Sequence, residues 1–126
     1  MSWDVRKAIQ YLQSHAEPHS TGRCAHHVRE AIEAGGVHLI HHVSAKDYGS
    51  SLLVVGFQEI PWEVVNMECA GDVGIVEPIT GHPHGHMAMF DGTYWISDLV
   101  QLHGLYPGKS YRAAMPPFAI YRYPAA

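Results

Sequence analysis

The chain carries little charge and few basic residues. Only 16% of its 126 residues are Asp, Glu, Lys or Arg, against about 25% in an average soluble domain, and the eight lysines and arginines form no block. With a formal charge of −4 and no basic stripe there is no electrostatic footprint for nucleic acid, so DNA and RNA are discounted as partners. Cysteine is also scarce. Two thiols, Cys24 and Cys69, make no disulfide framework and are expected to stay reduced. No stretch approaches the ~20 apolar residues that a bilayer span needs, and the opening "MSWDVRKAIQYL" lacks the apolar run of a secretory signal. The expectation is a protein made in the cytoplasm without a signal peptide and not inserted in a membrane, which would need another route of export to work outside.

Apolar residues (47%) and histidine (eleven) are plentiful. A chain of this length is expected to be one domain, residues 1–126, burying roughly 65–70% of the surface its unfolded form exposes. Because imidazole titrates near pH ~6.5, eleven histidines let the net charge turn positive in mildly acidic surroundings.

Periodicity divides the chain in two. Val5, Ile9, Leu12 and Ala16 share a helical face, with Ser2 as a candidate cap and Asp4 in the first turn. A second helix is predicted from about Arg23 to Ala34. Ser20 and Thr21 are cap-type residues ahead of it, Cys24, Val28, Ala31 and Ile32 are its apolar stripe, and Gly35-Gly36 is its stop. "SAKDYGSSLLVVGFQEI" reads as a third helix with Ser44 as cap and Gly56 as C-cap. From there the period changes. "GDVGIVEPI", "HMAMFDGTYWISDL" and "FAIYRYP" are short, β-branched or aromatic, and broken by Gly and Pro, and Asp91-Gly92 between apolar runs marks a hairpin. Helices followed by a small antiparallel sheet make an α+β domain.

Cys24 is the first candidate for chemistry. The nucleophile is a thiolate, and a helix N-terminus both favours that anion and offers N–H groups to an oxyanion; a buried structural thiol is the other reading of the same position. A nucleophilic cysteine also needs a base, which must be near in space rather than in sequence. His86, opening "HMAMF" after Gly85, crosses from loop into strand. If Asp91, Gly92 and Thr93 form the hairpin loop, Phe90 faces Tyr94 and the register carries His86 opposite Asp98, a carboxylate that would orient the ring. A two-residue loop would put Ser97 there instead.

The ordered set "GRCAHHVREAIEAGG", "GDVGIVEP" and "GHMAMFDGTYWISD" resembles the NlpC-like and CHAP families of papain-like cell-wall hydrolases over about Gly22 to Asp98. Two positions depart from the family pattern. Arg23 stands where NlpC-like enzymes commonly have aspartate before the cysteine, and Asp98 where their third polar residue is often histidine. The resemblance implies a papain-like fold with helices packed on a small antiparallel sheet. It also implies a Cys24–His86–Asp98 triad, no cofactor, and hydrolysis of an amide bond in the stem peptide of peptidoglycan. A bare catalytic domain of this kind resembles the small amidase effectors of type VI secretion and phage lysins. The effector reading implies an immunity protein as partner and action in the periplasm or wall of a target cell.

Trp95, beside the hairpin, Tyr48, as a support for the oxyanion, and His84 are the candidates for substrate binding. The residues also leave two rival functions open. His82, His84 and His86 alternate along "GHPHGHMAM" and, in an extended strand, would share a face able to grip a metal. A catalytically inactive binding domain is the other rival. Trp3 and Trp62 read as core or cleft walls, Asp72 as a turn residue at the start of a strand, and Cys69 as an ordinary small apolar residue.

Overall fold

A computed structural model describes residues 3–61 and 67–124. The predicted cap Ser2 and the aromatic Trp62 lie outside these residues.

Three helices precede most of the sheet: α1 (Val5–Ser14), α2 (Cys24–Ala34) and α3 (Tyr48–Val54). Asp4 is the N-cap of α1, its carboxylate accepting from the Lys7 amide at 3.1 Å, which satisfies one of the orphan N–H groups of a helix start. Ala8 and Leu12 of α1, and Val28, Ala31 and Ile32 of α2, are the buried stripes, and the two helices pack together. The glycine pair ends α2 as predicted: Gly36 has φ +99°, and at Gly35 an added Cβ would lie 2.7 Å from the Trp3 ring and 2.9 Å from the Asp4 carbonyl. The predicted third helix is shorter than its stretch. A single 3-10 turn, Ala45–Asp47, leads into α3, and Gln58–Glu59 is a strand, β1.

The other strands are β2 (Val73–Val76), β3 (His86–Phe90), β4 (Trp95–Ile96), β5 (Val100–Gln101) and β6 (Phe118–Arg122), with a fourth helix, α4 (Lys109–Ala114), before the last. All pairings are antiparallel in the order β1-β6-β2-β3-β4-β5. The domain is α+β, with its helices on a small antiparallel sheet. Strand alternation sorts the side chains between two layers. Val73, Ile75, Met87, Met89, Ile96 and Tyr121 join the helices in the main core, while Ala88, Trp95 and Ile120 pack on the other face with Leu105 and Phe90. Asp72 is more than a turn residue. It is buried and takes two bonds from Arg122, 2.9 and 2.8 Å, tying β6 to the start of β2. Cys69 is exposed rather than packed, and both cysteines are free thiols. Among the described residues no helix is long and apolar enough to cross a membrane.

Candidate active site

α2 begins at Cys24 with no side-chain cap of its own. The approach to it is held instead from the far end of the chain. The Asp98 carboxylate, 1% exposed, accepts from the Thr21 amide (2.6 Å), the Thr21 hydroxyl (3.0 Å) and the Arg23 amide (3.3 Å), and the Asp98 carbonyl accepts from the Glu17 amide at 2.6 Å. One buried acid thus fixes the loop that delivers the cysteine, leaving the first N–H groups of α2 unclaimed by a cap.

The hairpin register differs from both expected pairings. Phe90 pairs with Trp95 and Met89 with Ile96, because the Asp91 carboxylate folds back onto the amides of Thr93 (2.7 Å) and Tyr94 (2.6 Å) and leaves Gly92-Thr93 as the loop. A slip of one residue turns every later side chain to the opposite face. Neither Ser97 nor Asp98 stands across from His86; both lie in the turn that follows β4, where the Ser97 amide donates to the Leu99 carbonyl.

The partner of His86 is Gln101, which sequence reasoning missed. His86 Nε2 lies 2.6 Å from Gln101 Oε1, with both side chains buried. The Gln101 amide nitrogen donates to the carbonyls of Gly104 (2.8 Å) and Leu105 (2.9 Å), so the amide oxygen must be the end that meets the imidazole. The hydrogen-bond network therefore assigns the proton to Nε2 and leaves Nδ1 as the basic nitrogen. A lone polar residue in the apolar run "LVQL" was the available signal.

Cys24 and His86 line one cavity of about 800 Å³, whose walls include Arg29, His42, His84 and Tyr111. The backbone of Met87, the residue after His86, acts on the Cys24 thiol to lower it. Burial pushes the thiol above its ordinary value, helped by the negative charge of Asp98 and opposed by the amides of Met87 and Ala25. The expected lowering by the helix N-terminus is thus outweighed by burial. Burial also drives the His86 imidazole below its ordinary value, against the opposing influence of Gln101 and Asp98. Both directions favour the uncharged pair at rest. The Asp98 carboxyl is itself raised by burial, but the bonds from Thr21, Arg23 and Ser97 more than offset this and hold it low.

The other predicted residues divide. Tyr48 lines the cavity, but it is fully buried and its hydroxyl is committed to His42, donating to the carbonyl (3.1 Å) and accepting from the amide (3.0 Å); it shapes the rim and is not a spare donor. His84 lines the cavity with its ring bonded to the Ser44 hydroxyl. Trp95 does not line this cavity; it packs on the opposite face of the sheet, beside a second pocket. The three alternating histidines do not share a strand face either. β3 starts only at His86, Gly85 before it has φ +71°, and the ring of His82 lies beside Tyr111. Among the described residues no group of three His, Cys, Asp or Glu is placed to hold a metal.

No protein-family model matches the chain, and no curated protein does. Solved structures do. A chain of the crystallised type VI effector–immunity complex Tae3–Tai3 from Ralstonia pickettii is 51% identical, with a TM-score of 0.90, and the match covers 97% of this chain and 100% of that one. The selenomethionine form of the same complex gives 52% identity, a TM-score of 0.85, and coverage of 91% and 98%. By class this is a type VI effector. Identity at that level over nearly the whole length gives the family: the chain belongs to Tae3.

Proposed function

We propose that this effector is a cysteine-dependent amidase that hydrolyses an amide bond in the stem peptide of peptidoglycan, with Cys24 as nucleophile and His86 as general base and acid. The observation that carries the reading is the fixed tautomer of His86: Gln101 holds the Nε2 proton and so presents a basic Nδ1 within the cavity shared with Cys24.

In this mechanism Nδ1 takes the thiol proton as the sulfur attacks the amide carbonyl, forming the carbon–sulfur bond and a tetrahedral oxyanion beside the α2 N-terminus. On collapse the carbon–nitrogen bond breaks and His86 returns the proton to the departing amine. Water then attacks the thioester with His86 again taking a proton. The carbon–sulfur bond breaks, the acid leaves, and the proton returns to sulfur. No cofactor takes part. The uncharged resting pair fits a base that acts during attack rather than a preformed ion pair. The roles of the remaining residues are positioning ones: Gln101 orients the ring, replacing Asp98 in that place, and Asp98 holds the cysteine loop.

The family relative was crystallised with an immunity protein, and the same kind of partner is proposed here, blocking the cavity in the producing cell while export delivers the enzyme to a target's periplasm. The test is digestion of purified peptidoglycan followed by mass spectrometry of the muropeptides. Wild type is expected to release fragments cut at one amide bond, and Cys24→Ala, with unchanged circular dichroism, to release none. Hydrolysis by Cys24→Ala at the wild-type rate would overturn the cysteine mechanism.

A further inference from the structure

Three fixed cations, Arg23, Arg29 and Lys109, line the Cys24 cavity against a single carboxylate, that of Asp98. The chain as a whole runs the other way, with 12 acidic residues to eight basic ones, so the excess of positive charge is local. Asp98 does not answer it, because its carboxylate is buried and already bonded to Thr21, the Arg23 amide and Ser97. Arg29 is tied to its own helix, donating to His26 Nδ1 at 3.1 Å with Glu33 3.9 Å away. Arg23 and Lys109 are different. Both are exposed, and among the described residues neither forms an ion pair, not even with Glu17 or Glu30, which share a neighbouring hollow with Arg23.

We infer that Arg23 and Lys109 form a carboxylate-binding subsite beside the nucleophile, which selects stem peptides carrying a free carboxylate on a residue that flanks the cut amide. The inference rests on the cysteine-amidase reading and deepens it by naming the charge that the substrate must carry. Arg23 directly precedes Cys24, so the two Cα atoms are about 3.8 Å apart, and an extended peptide advances only about 3.3–3.6 Å per residue. The guanidinium is thereby anchored within a residue or two of the reacting carbonyl. This is also the position where the chain departs from the NlpC-like pattern, with arginine in place of the common aspartate. That reversal of charge next to the nucleophile plays no part in the attack itself, and an anionic group on the substrate gives it one. A guanidinium fork matches a carboxylate through two parallel bonds. Lys109, at the start of α4, brings a second charge from a separate segment of the chain, so that the group is held from two elements. The positive field extends along the wall: burial, with help from the charges of Arg23 and Arg29, pushes the His26 imidazole below its ordinary value against the pull of Glu30.

The experiment compares wild type, Arg23→Gln, Lys109→Gln, the double variant and Lys7→Gln on two purified muropeptides that differ only in whether the carboxyl groups beside the cut amide are free or converted to carboxamides. The readout is the ratio of kcat/KM on the free acid to kcat/KM on the carboxamide, which cancels any loss of folded enzyme. Wild type is expected to prefer the free acid by about tenfold or more, the factor carried by charge-assisted hydrogen bonds. The difference should lie mainly in KM, because a carboxylate that does not react is bound alike before and during attack. Each single variant should lower the ratio, and the double variant should bring it within about twofold of one, the residue that weak surface electrostatics leaves. Lys7→Gln removes the same charge from the exposed side of α1, away from the cavity, and should keep the wild-type ratio. A wild-type ratio near one would overturn the inference, as would a preference that survives in the double variant. An equal fall in Lys7→Gln would also overturn it, by assigning the preference to net charge. Hydrolysis by Cys24→Ala strikes the underlying cysteine reading, whereas the ratios strike the subsite alone.

Discussion

An imidazole offers two nitrogens, and catalysis needs the right one free. In this protein the choice is made outside the ring, by an amide that cannot turn. Gln101 must present its oxygen to His86 because its nitrogen is held by two carbonyls, those of Gly104 and Leu105. Gln101→Leu keeps the approximate volume and removes all three bonds. The imidazole N–H and both carbonyls lose their partner, and a buried orphan group costs about 1–3 kcal/mol. The variant is expected to unfold at lower urea concentration by that measure and to lose at least about tenfold in kcat/KM, the factor attached to 1.4 kcal/mol of misorientation in the transition state. Equilibrium denaturation and muropeptide turnover read the two effects separately, and full turnover in the variant would show that the ring needs no orienting. Residue-level reading of the sequence found Cys24 and His86 as the candidates, because helix starts and strand starts are visible in composition. It chose the wrong neighbour for His86 because the choice depended on a register that composition does not hold.

That register is decided at the level of the hairpin. "DGT" announces a turn, but where the ladder closes depends on how Asp91 uses its carboxylate, and its bonds to the amides of Thr93 and Tyr94 set the pairing of Phe90 with Trp95. Asp98 is thereby carried past the ladder into the turn between β4 and β5, where it clamps residues 17 to 23. This clamp also adds a negative charge near the thiol and the imidazole, raising both from the level that burial alone gives. Asp98→Asn keeps the shape and removes the charge, while turning some accepted bonds into donor–donor clashes. It is expected to lower kcat/KM, and to move the alkylation midpoint of Cys24 to lower pH, since the thiolate no longer faces a carboxylate. A purely structural clamp would change the rate without moving the midpoint, so titration by iodoacetamide at several pH values distinguishes the two. The same scale explains which elements were legible. α1 and α2 were readable from their stripes and from the glycine stop. α4 was not: "KSYRAA" is six residues long, too short to be stable alone, and owes its form to packing of Tyr111. β1, two residues long, lies just past Gly56, the expected end of the third helix, and went unpredicted because a pair of residues carries no period.

Over the whole molecule, the class was legible because the three longer helices, α1 to α3, all precede the strands. The partition of the sheet's two faces was not, and so Trp95 was assigned to a groove that lies on the other side. The integrated consequence of the site is its pH dependence. A pair buried in the uncharged state, as Cys24 and His86 are, contributes to stability whatever its chemistry, and the sign follows from linkage. The unfolded chain protonates His86 near its ordinary pKa of about 6.5, whereas the folded imidazole is held lower by burial. The folded state therefore binds fewer protons than the unfolded one below that value. The stability that neutral His86 provides is present above pH ~6.5 and is lost as pH falls toward the folded pKa. Cys24 acts at the other end. Its folded thiol is raised, so its contribution is present below the ordinary thiol value and is lost as pH rises past it. The Asp98 carboxyl, held low by its donors, adds a separate loss only as pH falls through the carboxylate range. Thermal unfolding followed across pH 5 to 10 is therefore expected to give a plateau between the ordinary imidazole and thiol values, with a falling limb on each side. His86→Gln should flatten the limb just below pH 6.5 relative to wild type, and Cys24→Ala should flatten the alkaline one. Limbs that persist unchanged in both variants would assign the pH dependence to other groups, and would mean that the pair is not buried uncharged.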